Sequence, residues 1–311
     1  MTTAPEQLLH RLEWTVVRRL DGLLQGAHRT VFRGAGLDLA GISPYSADDD
    51  VRHIDWNTTA RTGEPHVRRF LEERELTAWF VIDRSASMRV GAREAPNLLT
   101  DVALSLARLF TLSGDRVGAI LYDDDRQVVI PPSTGRSPVL RLAREIGAGR
   151  ENGPDRRNER RGLFRRLVGA TEQGRQTDIA RMLGLAASTI GRRSLVIVVS
   201  DFIGRPGWER QLARLAHRND VSAVRLTASA SKLLPEWGTT IVEDAETGEQ
   251  LLVDASDPAF RRRLAELDEA SERALGDALR RAGVADLTVS ADDDLALALV
   301  GVARRTARRS A

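Results

Sequence analysis

Four apolar runs constrain this chain more than any other feature: Leu76–Asp83, Val117–Tyr122, Leu195–Ser200 and Val221–Leu226. Each is rich in Val, Ile and Leu and scarcely alternates between apolar and polar positions. A strand with one wet face alternates, whereas a parallel strand covered on both faces does not. Stretches of helical period lie between and after these runs. Pro96–Leu112 carries Leu98, Val102, Leu106 and Leu109 on one face, and Thr134–Ile146, Asp178–Ile190 and Trp208–His217 also read as helices. Strands alternating with helices predict an α/β fold, a doubly wound and mostly parallel sheet of Rossmann type with helices on both sides.

The flanks read differently. Leu8–Leu24 has a helical apolar stripe, Arg29–Pro44 is glycine-rich and suggests short strands, and Tyr45–Arg61 is polar and charged. Gln127–Ile130 follows Val117–Tyr122 across the acidic turn Asp123–Asp125, a hairpin signal. Gly147–Arg161 lacks periodicity and reads as a mobile loop. Beyond the last of the four runs, Thr239–Val242 and Gln250–Val253 form a second hairpin signal. A long helix over Pro258–Ala282, a short strand over Leu287–Val289 and a last helix over Leu295–Arg305 follow. The expected organisation is an N-terminal segment over 1–75, the α/β domain over 76–230 and a hairpin and helical extension over 231–311.

Composition narrows the chemistry. Cysteine is absent from the 311 residues, which excludes disulfides, thiolate zinc sites, iron–sulfur clusters and a cysteine nucleophile. The charge is 46 basic against 44 acidic residues, a net of +2, and Lys232 is the one lysine. A high isoelectric point on so small a net charge reflects arginine, which does not titrate in range, and is weak support for nucleic-acid binding. The longest apolar runs are too short to span a bilayer, and the first residues do not read as a secretory leader. A cytoplasmic protein without a membrane partner is expected.

The residues that carry chemistry sit just past predicted strand ends. The first strand runs into Asp83-Arg84-Ser85-Ala86-Ser87, a later one into Ser200-Asp201, and Thr177-Asp178 opens a helix. In open α/β sheets this edge binds ligands. Two carboxylates and three hydroxyls offer only oxygen, a set that suits Mg²⁺, or Mn²⁺ or Ca²⁺, and disfavours zinc. Asp83 and Asp201 on neighbouring strand ends would repel each other without a cation. The expected ion site is Asp83, Ser85, Ser87, Thr177 and Asp201, with one position exchangeable for a carboxylate from another protein. No general base stands beside it, so the chain is not expected to be an enzyme. The plainer alternative treats the D-x-S-x-S string as a turn and Thr177 or Asp178 as a helix cap.

Asp83, Ser85, Ser87, Thr177 and Asp201 resemble the metal-ion-dependent adhesion site of von Willebrand factor type A domains. Tyr45, Asp49-Asp50, Arg52, Ile54-Asp55-Trp56 and Ala60-Arg61, followed by Asp83–Met88, resemble the DUF58 family over nearly the whole chain, Ser200-Asp201-Phe202 and Glu246–Glu249 included. The resemblance implies a von Willebrand factor A-like domain of a bacterial protein that binds other proteins through a metal ion. It also implies a MoxR-type AAA+ ATPase as partner, in the assembly or activation of other proteins. Two positions depart from the family pattern: Asp48 and Gln176 stand where relatives often have glycine. Many relatives carry N-terminal membrane helices, which are not expected here.

Other features have plainer readings. The Asp48–Arg61 stretch is either a docking surface or an ion-pair network fixing the leading segment, and the network is the expectation. His53 and His66 lack a second histidine at metal spacing. The basic run Arg304–Arg309 suits a solvated helix end, has no aromatic platform beside it, and nucleic acid is not an expected partner. The rival reading is a Mg²⁺-dependent hydrolase of phosphate esters. An aspartyl-nucleophile phosphatase would want a second acid where Ser85 stands, and no phosphate-binding loop of the G-x-x-x-x-G-K-[ST] type occurs. A third reading is an A-like domain whose ion site stays empty.

Overall fold

A computed structural model of the chain describes residues 6, 12, 38–46, 49–71, 76–85, 88, 97–123, 126–151, 178–227, 238–243, 250–290 and 292–300. In chain order the elements begin with β1 (Asp38–Pro44), a 3-10 turn (Val51–His53), α1 (Trp56–Thr62) and β2 (His66–Leu71). They continue with β3 (Thr77–Asp83), α2 (Leu98–Leu112), β4 (Arg116–Tyr122), β5 (Gln127–Ser133) and α3 (Arg136–Glu151). Then come α4 (Ile179–Thr189), β6 (Leu195–Ser200), α5 (Glu209–Arg218), β7 (Asp220–Thr227), β8 (Thr239–Glu243), β9 (Gln250–Asp254), α6 (Pro258–Arg281) and β10 (Ala285–Ser290). Residues 295–300 are helical. No helix among the described residues is long and apolar enough to cross a membrane.

The central sheet has six strands in the order β10-β7-β6-β3-β4-β5. All neighbours pair in parallel except β4 with the edge strand β5, which is antiparallel. The non-alternating apolar runs are the parallel strands, and their residues divide by parity between two cores. On β3, Ala78, Phe80 and Ile82 join α2 and α3, while Trp79 and Val81 join α4, α5 and the C-terminal turns of α6. Helices thus cover both faces, as the absence of alternation requires. The chain builds outward from β3 to β4 and β5 on one side, then from β6 to β7 and β10 on the other. The order reverses between β3 and β6. Such a switch point leaves a crevice at the strand C-termini, and this is where open α/β sheets place ligands.

Close packing fixes one glycine. Gly118 on β4 pairs with Trp79 on β3. A Cβ at Gly118 would stand 3.0 Å from the Trp79 ring and 3.1 Å from Pro132 Cγ. Gly118→Ala is expected to cost about 1–3 kcal/mol through overpacking, read by urea denaturation.

Several boundaries differ from the sequence reading. α3 continues to Glu151, so the stretch expected as a loop over Gly147–Arg161 begins as helix, and 152–161 lie outside the described residues. A helical glycine costs only about 1 kcal/mol, too little to stop a helix already propagating. β5 extends through Pro131-Pro132 to Ser133, which an edge strand tolerates because a proline there need not donate to a neighbour. The short strand expected in the C-terminal extension is β10, parallel to β7 at the edge of the main sheet. Of the helix expected over Leu8–Leu24 only Leu12 is described, helical and buried in the core with α2 and α3. The tail Arg304–Arg309 lies outside the described residues, and so do 29–37.

The N-terminal unit is a small antiparallel pair, β1 with β2, and two ion pairs close within it. Asp50 caps the 3-10 turn at Arg52 N and holds the Arg52 guanidinium at 2.7 Å. Asp55 caps α1 by accepting from Thr58 N at 2.8 Å and binds Arg68 of β2 at 2.8 Å. The Arg52 side chain holds the Asp50 carboxyl down at about 2. The Thr58 backbone N–H, then Arg68, lowers that of Asp55. Groups depressed on folding stabilise fully above their unfolded value of about 4 and lose that contribution as the pH falls through the folded value. Asp55→Asn is therefore expected to flatten the acid limb of a Tm–pH profile below about pH 4, with little change at neutral pH beyond the lost ion pair.

Candidate functional site

The switch point gathers residues from β3 and β6. Asp83 ends β3 and is fully buried. Its Oδ1 accepts from Ser85 N at 2.9 Å, a turn in which the carboxylate replaces a backbone acceptor. Its Oδ2 accepts from Ser200 Oγ at 2.6 Å, across 117 positions of sequence. Ser200 ends β6, and its Oγ in turn accepts from Phe202 N at 2.9 Å. Asp201 follows, half-buried, with Oδ1 accepting from Ile203 N at 2.9 Å. Phe202 adopts φ +56°, unusual for a side chain of its size. Its ring is buried against Trp208, centroids 5.2 Å apart, and that packing holds the sharp turn after β6.

The sheet explains the alignment. Tyr122 pairs with Asp83, and Ser200 pairs with Arg225. Tyr122, Asp83, Ser200 and Arg225 therefore occupy one row across four strands near their C-terminal ends. Arg84, the next residue, is turned away from the crevice. It donates from Nη1 to Glu145 O at 2.7 Å and pairs with Asp123 at 3.4 Å, tying the turn after β3 to α3 and the end of β4.

Of the residues expected to form an ion site, Asp83, Ser85 and Asp201 are described and lie at adjacent strand ends. Ser87 and Thr177 lie outside the described residues. Asp178 caps α4 through Arg181 N at 2.8 Å, the helix-cap role expected of it. Among the described residues no group of three or more His, Asp or Glu side chains is gathered as a metal centre. The expected set contains only two carboxylates. What the described part offers is all oxygen, and its chemistry fits a hard cation rather than zinc.

Ser200 was legible in the sequence only as the residue before Asp201. Its bond to Asp83 depends on the β3–β6 neighbour relation, which no local pattern encodes. The Asp48–Arg61 stretch divides. Asp50 and Asp55 are held in the local ion pairs described above, which close within the N-terminal unit rather than onto the α/β domain as the network reading expects. Trp56 is 70% exposed and Val51 60%, and Asp48 lies outside the described residues.

Residues 42–274 match the family described as protein of unknown function DUF58. Uncharacterized proteins of Mycobacterium bovis and Mycobacterium tuberculosis are 30% identical over 288 residues, 92% of this chain and 84% of theirs. Among solved structures, a conserved hypothetical protein BatB of Bacteroides thetaiotaomicron overlaps 75% of this chain and 99% of its own at 16% identity and a TM-score of 0.37. An aerotolerance-related membrane protein of Bacteroides fragilis overlaps the same shares at 13% identity and a TM-score of 0.39. Overlaps that loose carry no weight for fold or function.

Proposed function

The chain belongs to the DUF58 family, and on that footing we propose that it is a metal-ion-dependent protein-binding adaptor built on a von Willebrand factor A-like domain. The observation that carries the reading is the buried Asp83 carboxylate at the switch point. It is bonded at once to the Ser85 turn and to the Ser200 hydroxyl, one residue before Asp201. Asp83, Ser85, Ser87, Thr177 and Asp201 would hold Mg²⁺, or Mn²⁺ or Ca²⁺. A bound ion of this kind neutralises the paired carboxylates and leaves a Lewis-acidic position for the Asp or Glu of another protein. The protein's own part is to fix the carboxylates in place through Ser200 and the local turns. The partner proposed from the family resemblance is a MoxR-type AAA+ ATPase, with which the chain would act in the cytoplasm on other proteins.

The test is capture of partners from lysate of the source organism on immobilised chain, read by mass spectrometry. The expected result is an AAA+ ATPase retained in millimolar Mg²⁺, released by EDTA and absent from Asp201→Ala. Retention that ignores both EDTA and the substitution contradicts the reading. Generic phosphate esters with Mg²⁺ should give no turnover. Turnover abolished by Asp83→Ala would mark the chain as a hydrolase instead.

A further inference from the structure

Starting at Asp178 and Gln127 beside the sheet's C-terminal edge, the outer surfaces of α4 and α5 leave a groove between them. Two adjoining hollows of about 470 and 250 Å³ form it, and both touch Gly184, Ser188 and Gln211. Arg181, Gly184 and Ser188 line it from α4, and Gln211, Arg214 and Arg218 from α5. Each set has the spacing i, i+3, i+7, one face of one helix.

Two independent observations point to a guest. The first is charge. Arg181, Arg214 and Arg218 are exposed, and among the described residues none of them enters an ion pair. The acid beside the groove, Asp178, accepts from the Arg181 backbone N–H rather than from its guanidinium. The second is Gly184. It lies inside α4, and a Cβ there would meet no described residue within 4 Å. Glycine inside a helix is destabilising relative to alanine, and neither φ nor a neighbour asks for it here. A missing side chain on the groove floor admits close approach by another backbone.

The chemistry selects the guest. Half-buried Ala180, Leu185 and Ala187 border the arginines and pack on the core beneath. An apolar floor with a cationic rim complements an amphipathic helix that carries carboxylates along its flanks. Nucleic acid fits less well, because among the described residues no aromatic ring lines the groove to stack a base and phosphates would leave the floor unmatched. The segment 152–177 of this chain has seven arginines against three acids, the same sign as the rim. We propose that the α4–α5 groove docks an acidic amphipathic helix of a partner protein, its carboxylates on Arg181, Arg214 and Arg218 and its backbone over Gly184.

The groove does not use the candidate ion site, so the test runs in EDTA and its failure is distinct from failure of the ion reading. The probe is a fluorescein-labelled peptide of Glu, Ala and Leu, about 18 residues or roughly 27 Å of helix, titrated with the full chain and read by anisotropy. Saturable binding is expected. R181E/R214E/R218E should weaken it at least tenfold, and Gly184→Leu, which fills the floor without reversing charge, by a similar factor with an unchanged far-UV spectrum. R262E/R263E, which reverses exposed charges on α6, should bind as the wild type does. No saturable binding, or equal loss in R262E/R263E, overturns the proposal. Oligo(dT) bound more tightly than the peptide through the same three arginines also overturns it and assigns the groove to nucleic acid.

Discussion

Removing Glu272 and Asp286 together is expected to lower stability by about 3–5 kcal/mol, the cost of leaving a buried charge without its partners. Arg225 on β7 is the charge in question, with a side chain only 8% exposed. Its Nη1 donates to Glu272 of α6 at 2.7 Å, its Nη2 to Thr288 Oγ1 of β10 at 2.6 Å, and its Nε lies 3.2 Å from Asp286 of β10. Arginine cannot escape by losing its proton. With both acids gone, Thr288 alone would remain of these three partners. Adding Arg225→Met to the double variant should recover most of the loss, because an apolar replacement for a buried ion pair is often neutral. Urea unfolding at 25 °C reads both effects. A double variant within about 1 kcal/mol of wild type would mean that water, not these carboxylates, solvates the guanidinium. The residues involved explain why β10 and α6 belong with the sheet. One side chain from β7 ties them to the row that also contains Asp83 and Ser200.

Ser200→Ala is expected to weaken Mg²⁺ binding about 10–100-fold, the usual effect of losing a hydrogen bond that orients a ligating group. The hydroxyl donates to Asp83 Oδ2 and accepts from Phe202 N, so it sets both the carboxylate's angle and the start of the turn that carries Asp201. Ser200→Thr keeps the hydroxyl and should stay near wild type. The readout is the Mg²⁺ concentration that raises Tm halfway to its saturated value. If Ser200→Ala shifts Tm without moving that midpoint, the bond serves folding alone.

How much of this was legible in the sequence follows from the range of each interaction. The parallel strands were readable because burial on both faces suppresses alternation, a property each strand carries alone. Asp178 announces itself as a cap by position, whereas Asp55, read only as part of a charged stretch, caps α1 in the structure. The row Tyr122–Asp83–Ser200–Arg225 was not readable, since it depends on strand order and register set by the whole sheet. Arg225 in particular looks like an interruption in an apolar run until Asp286 and Glu272 arrive from residues far downstream. Gly147 and Gly149 suggest a break before the observed end of α3, whereas a formed helix bears the modest cost of each. The strand-end placement of three of the candidate ligands was readable. Asp83, Ser85 and Asp201 came from strand-end position, but the hydroxyl that joins the two strands was missed.

Thermal unfolding of the wild type and of Asp83→Ala, each in EDTA and in millimolar Mg²⁺, tests the ion site most directly. Saturation at about 100 times the dissociation constant adds roughly 2.7 kcal/mol to a chain that binds the ion only when folded. The account predicts a clear rise in Tm for wild type and none for Asp83→Ala. Equal melting of the wild type in EDTA and in Mg²⁺, Mn²⁺ or Ca²⁺, or the same rise in both proteins, would contradict it.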